Sequence, residues 1–166
     1  MHSIGDKVVY GASGVMTIVD IREESVGDVS RSYYVLQSIP ARTDSLTFVP
    51  TDNERLVSAM RPLLTVDGVY DIIRAMRATT PIAWVPENRG RQEHFKRVME
   101  SGDRFALVAM INAIDEHGRL RELEGKKNFL TDENARHKAE RLLYSEFAVV
   151  LGVTEEEIPA IVAKYQ

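Results

Sequence analysis

The hydrophobic period of the sequence changes once, near residue 52, and that change limits the chain to two different kinds of packing. Before it, β-branched and aromatic residues come in short runs. Lys7-Val8-Val9-Tyr10 precedes Gly11-Ala12-Ser13-Gly14, a turn signal, and Val15-Met16-Thr17-Ile18-Val19-Asp20-Ile21 alternates as a strand does. Glu23 to Ser32 is polar, with Gly27-Asp28 placed for a hairpin turn. Ser32 to Ile39 reads as a third strand, Pro40 to Ser45 as a loop, and Leu46 to Pro50 as a fourth strand. Short strands recurring at about ten-residue intervals predict a small antiparallel β-barrel. About 55 residues is just enough chain for one such core.

After Thr51-Asp52-Asn53 the period becomes helical. Apolar residues at 66, 69, 72, 73 and 76 share one helix face, and Thr79-Thr80-Pro81 stops that helix. Asn88 to Glu100 is a second helix. Ser101-Gly102-Asp103 ends it and starts the next, because glycine suits a left-handed C-terminal position and aspartate caps an N-terminus. Arg104 to Glu116 is that third helix, and His117 to Leu130 reads as a polar loop with room for a short turn of helix. Thr131-Asp132-Glu133 opens a long helix with acids in its first turn, which Gly152 ends. Thr154 and Glu157 match a capping box for a last helix, running to about Lys164. The fold class is α+β: a small barrel over residues 1–55, then an all-helical domain of about five helices over 60–166.

Composition excludes several functions. The chain has 166 residues and no cysteine, which removes disulfides, thiolate zinc sites, iron–sulfur ligation and thiol catalysis. The four histidines are scattered without zinc-ligand spacing. Gly11-Ala12-Ser13-Gly14 lacks the lysine and length of a phosphate loop, and no Gly-x-Ser-x-Gly elbow occurs. No cofactor or metal is implied, and the expectation is a non-enzyme. No apolar run approaches a membrane span, and the polar start lacks a secretion signal, so a cytoplasmic protein is expected. A net charge of −4 argues against holding nucleic acid by charge alone.

Two local features remain. Arg89, Arg91, Lys96 and Arg97 stand against one acid, Glu93. On a helix, positions 89, 93, 96 and 97 share a face, while 91 lies opposite. The group reads either as solvated surface or as a phosphate-contacting patch. Trp84 lies in Pro81-Ile82-Ala83-Trp84-Val85-Pro86, just before that helix. It reads either as partly buried core or as an apolar wedge for a minor groove.

In its order of motifs the whole chain resembles the CarD/CdnL family of bacterial transcription regulators. Gly5-Asp6-Lys7-Val8-Val9-Tyr10 with Gly14-Val15 is similar to the family's opening. Tyr34-Val35-Leu36 and Phe48-Val49-Pro50-Thr51-Asp52-Asn53 resemble its later strands and their exit. Trp84, the Arg/Lys segment and Ser101-Gly102-Asp103 resemble its C-terminal half. Val85-Pro86-Glu87-Asn88 separates Trp84 from Arg89, where the family commonly has arginines almost directly after its tryptophan. The resemblance implies a Tudor-like (SH3-like) barrel that binds the β subunit of RNA polymerase. It also implies a helical domain that touches promoter DNA at the upstream edge of the transcription bubble and modulates the open complex. It makes Trp84 the wedge, and Arg89, Arg91, Lys96 and Arg97 the backbone contacts. A barrel edge formed by Val35, Leu36, Thr47 and Phe48 is the expected polymerase contact, through backbone pairing; the other reading of all four is barrel core, above all for Val35 and Phe48. The protein is expected to act as a monomer. Two rivals stand beside this: a protein-interaction module without DNA contact, and a small enzyme built from distant carboxylates.

Overall fold

Glycines at two turns set the geometry of the first strands. In the computed structural model, which describes residues 1–39 and 46–166, β1 (Lys7–Tyr10) and β2 (Val15–Val26) are joined through a 3-10 turn, Gly11–Ser13. Gly27 has φ 64° and, among the described residues, no non-glycine residue has positive φ, so the two-residue turn to β3 (Val29–Ser38) has the type II′ pattern, glycine first. The loop expected at Pro40 to Ser45 lies outside the described residues. Then come β4 (Thr47–Pro50), a short helix α1 (Glu54–Ser58) capped by the Asn53 side chain, and β5 (Met60–Pro62).

The chain divides into two units, Met1–Leu63 and Leu64–Gln166, each described here by itself. In the first, all five strands pair antiparallel in the order β4-β3-β2-β1-β5. The expected barrel is seen as this five-stranded sheet, in which β4 and β5 do not pair with each other among the described residues. A bulge between Ile18 and Asp20 takes Val19 out of the ladder, so Ile21 stands opposite Tyr34, where it is 43% exposed and outside the core that Met16 and Ile18 share. Val8, Met16, Ile18, Tyr34, Leu36, Val49 and Met60 form the core of this sheet.

The polar segment 23–32 extends both strands out to the expected hairpin turn at Gly27-Asp28: β2 and β3 stay paired from Glu23↔Ser32 to Val26↔Val29. Backbone pairing and small polar contacts hold this exposed stem, such as Ser30 Oγ donating to Glu23 at 2.6 Å. The sheet also extends past residue 55, because β5 pairs with β1 through Val9↔Arg61 and Tyr10↔Met60. A three-residue strand ending in proline carries no alternation to read.

The second unit holds five α-helices among the described residues: α2 (Val66–Ala75), α3 (Asn88–Ser101), α4 (Arg104–Leu123), α5 (Leu130–Leu151) and α6 (Ile158–Tyr165). The stop and start signals work as the residues suggest. Gly102 ends α3 at φ 65°, Asp103 accepts from the Ala106 N–H, and Thr154 and Glu157 form the capping box. Phe95, Leu107, Met110, Leu143, Phe147 and Ile158 lie at the centre of the core. The loop expected from His117 is instead the last two turns of α4, which run to Leu123 with Leu120 54% and Leu123 81% exposed. Helix there is not held by burial, so no apolar stripe announces it.

Candidate functional site

In the first unit the four expected polymerase-contact residues separate into two pairs. Val35 and Leu36 are completely buried and belong to β3, an inner strand, so neither offers a side chain or a free strand edge. The expectation fails for these two because their strand is covered on both edges by β2 and β4. Thr47 and Phe48 lie on β4, which pairs on one side only among the described residues. Phe48 is 41% exposed, and its ring meets Tyr33 edge-on at 6.2 Å. The Arg22 guanidinium lies 6.0 Å from the Phe48 centroid and pairs with Asp20 at 3.2 Å. Register puts these side chains on one face, since Val35 opposes both Asp20 and Phe48, and Tyr33 opposes Arg22 and Pro50. The result is an aromatic and charged strip running beside an unpaired strand edge, a form suited to adding a strand from a partner.

In the second unit α3 divides its cations between two faces. Arg89, Lys96 and Arg97 are exposed along one side. Lys96 is loosely matched by Glu100 at 4.0 Å. Arg91 is turned inward and is 2% exposed. It therefore cannot serve as the phosphate contact expected from its charge. Its Nε donates to Asp132 at 3.0 Å, its Nη1 to the carbonyls of Val85 and Pro86 at 3.0 Å each, and its Nη2 to Asn88 Oδ1 at 3.1 Å. Helical geometry already separated position 91 from the others. What sequence reasoning missed is Asp132, 41 residues away in the chain, which matches the charge.

That clamp holds the Trp84 segment. Trp84 is half-buried, and its indole stacks on the His117 imidazole with centroids 3.8 Å apart and planes 14° from parallel. Phe95 meets the indole at 6.3 Å, and the Arg91 guanidinium lies 4.7 Å from its centroid. Beyond His117 the Phe129 ring continues the series at 6.4 Å and 15°, with Arg121 4.0 Å from its centroid. Glu87 accepts from the N–H groups of Arg89 and Gly90, which starts α3 just beyond the segment and holds the Glu87 carboxyl below its usual range. Trp84 thus packs as a fixed aromatic at the base of the basic helix. The sequence marked Trp84 but not His117, which fell inside the expected loop.

His117 makes this cluster pH-dependent. Burial first, then the nearby Arg91 charge, holds the imidazole below its ordinary value of 6.5, with Asp132 opposing. The unfolded chain therefore binds this proton more readily than the folded unit. The stability that His117 contributes is full above about pH 6.5 and is lost as pH falls toward the lower folded value. Urea unfolding followed by Trp84 fluorescence is expected to give a lower midpoint at about pH 5.5 than at about pH 7.5. His117→Gln is expected to shrink that difference.

Among the described residues no group of three or more His, Asp or Glu side chains could hold a metal ion, and no helix is long and apolar enough to cross a membrane. Compared with known families, residues 2–64 match the model described as CarD-like/TRCF RID domain, which spans the first unit and its β4 edge. No curated protein matches the chain.

Proposed function

We propose, from the match of residues 2–64 to the CarD-like/TRCF RID domain model, that this protein is a cytoplasmic transcription regulator that interacts with RNA polymerase. It docks on the polymerase β subunit and brings its helical unit to promoter DNA at the upstream edge of the bubble. The observation that carries the reading is the family match across the whole sheet-bearing unit. The exposed β4 edge supports the mode of docking, through strand addition beside Thr47 and Phe48.

The duplex-facing groups in this reading are Arg89, Lys96 and Arg97, which are exposed on one face of α3. Three cations on a protein of net charge −4 would bind free DNA weakly. Tethering to polymerase supplies the effective concentration that charge does not. Arg91 and Trp84 take a different part: they fix the segment from which α3 starts. An indole already stacked on His117 has one face committed to that contact.

The test compares binding to purified polymerase holoenzyme with open-complex lifetime. Phe48→Ala is expected to weaken polymerase binding about tenfold, the loss of one aromatic anchor. The Arg89→Ala, Lys96→Ala, Arg97→Ala triple variant is expected to keep that binding but lose most of its effect on open-complex lifetime. Polymerase binding with no dependence on α3 charge would leave the interaction-module reading. No binding by the folded full chain would overturn the proposal.

A further inference from the structure

The helical unit carries a polar cleft of about 340 Å³ that the transcription reading does not use. It lies where the end of α2 and the Pro81 segment meet α4. Its floor is fixed: Asn112 donates through Nδ2 to the carbonyls of Met76 and Thr79 at 2.8 and 2.9 Å. Arg77 enters the lining from one side and Arg119 from α4. Among the described residues neither guanidinium has an ion-pair partner. Two acids share the cleft, but they differ. Asp115 is already matched by Arg136 from outside it, through Nε at 2.6 Å and Nη2 at 3.3 Å. Glu116 has no ion-pair partner among the described residues. The free charges facing the cleft are therefore two guanidiniums and one carboxylate.

We infer that this cleft binds a small phosphorylated, hydroxyl-bearing metabolite of the sugar-phosphate class, free or as part of a nucleotide. A phosphate dianion satisfies Arg77 and Arg119 together, since guanidinium geometry suits bidentate contact with phosphate oxygens. The hydroxyls then have acceptors in the Glu116 carboxylate and the Asn112 carbonyl oxygen. Pro81 supplies an apolar wall. The volume lies in the range of small-ligand sites and exceeds what a bare phosphate needs. Because Asn112 ties the floor to Thr79, an occupied cleft stiffens the chain that leads to Trp84.

Calorimetric titration of the full chain at low salt tests this with inorganic phosphate, ribose 5-phosphate and adenosine monophosphate. Ribose 5-phosphate is expected to bind more tightly than inorganic phosphate, and the mononucleotide distinguishes a free sugar phosphate from a nucleotide. Arg77→Ala and Arg119→Ala are each expected to weaken binding at least about tenfold. Glu116→Gln is expected to tighten the binding of inorganic phosphate by removing the one unmatched negative charge. Arg97→Ala, on exposed α3, is expected to change nothing. All four positions are exposed, so the variants should fold as the parent does. No saturable heat with any probe would overturn the inference. So would equal loss in Arg97→Ala, or a loss of duplex DNA binding in Arg77→Ala with sugar-phosphate binding intact.

Discussion

Arg91→Ala is expected to destabilise the helical unit by about 3–5 kcal/mol, because it leaves a buried carboxylate without its counter-charge. Asp132 is 3% exposed, and after the substitution it keeps only the Gln92 Nε2 contact at 2.8 Å. The same change removes the donors to Val85 and Pro86 and the cation beside the indole. Urea unfolding read by far-UV circular dichroism measures the cost, and Trp84 fluorescence reports the local loosening. The double variant Arg91→Met, Asp132→Leu is expected to recover much of the loss, since removing both charges removes the unmatched one. A single variant as stable as the parent would show that the buried pair contributes little.

Glu146→Ala is expected to cost a similar amount, about 3–5 kcal/mol, because it breaks a buried ion pair and a backbone hydrogen bond together. Glu146 is 2% exposed on α5 and holds three donors: Arg104 Nη2 at 2.7 Å, Arg104 Nε at 3.0 Å, and the Leu64 N–H at 2.9 Å. Its loss removes the carboxylate that two nitrogens of the Arg104 guanidinium meet and releases the first residue of the helical unit. Glu146→Gln keeps a carbonyl oxygen for the backbone donor and is expected to fall between parent and Glu146→Ala. The same unfolding curves decide it, and equality of the Gln and Ala variants would mean that the Leu64 contact contributes little.

Much of the fold can be read from the sequence wherever a local rule acts alone. Gly102, Asp103, Gly152 and the Thr154–Glu157 box mark helix ends because capping needs only neighbours in the chain. The alternation that opens β2 is readable because Met16 and Ile18 lie in the core of the sheet. Where structure forms without burial, the pattern disappears, as in the stem from Glu23 to Ser32 and the last turns of α4. The site residues divide in the same way. Helical geometry separates Arg91 from Arg89, Lys96 and Arg97, but nothing local reveals that Asp132 and Glu146 are the buried partners of two arginines. Nor does it reveal that His117 lies under Trp84. Such pairings join residues tens of positions apart, and only the tertiary fold selects among several candidate acids.

Helix α3 carries two sets of instructions on alternating positions. Arg91 and Phe95 face inward and are bound to the clamp and the core. Arg89, Glu93, Lys96 and Arg97 face outward and make no buried contact. The outward set can therefore drift, reverse its charge or be redesigned while the helix keeps its position, because what fixes that position lies on the other side of the same cylinder. Inheritance through the inward residues and variation through the outward ones would let related chains share one scaffold and meet differently charged surfaces.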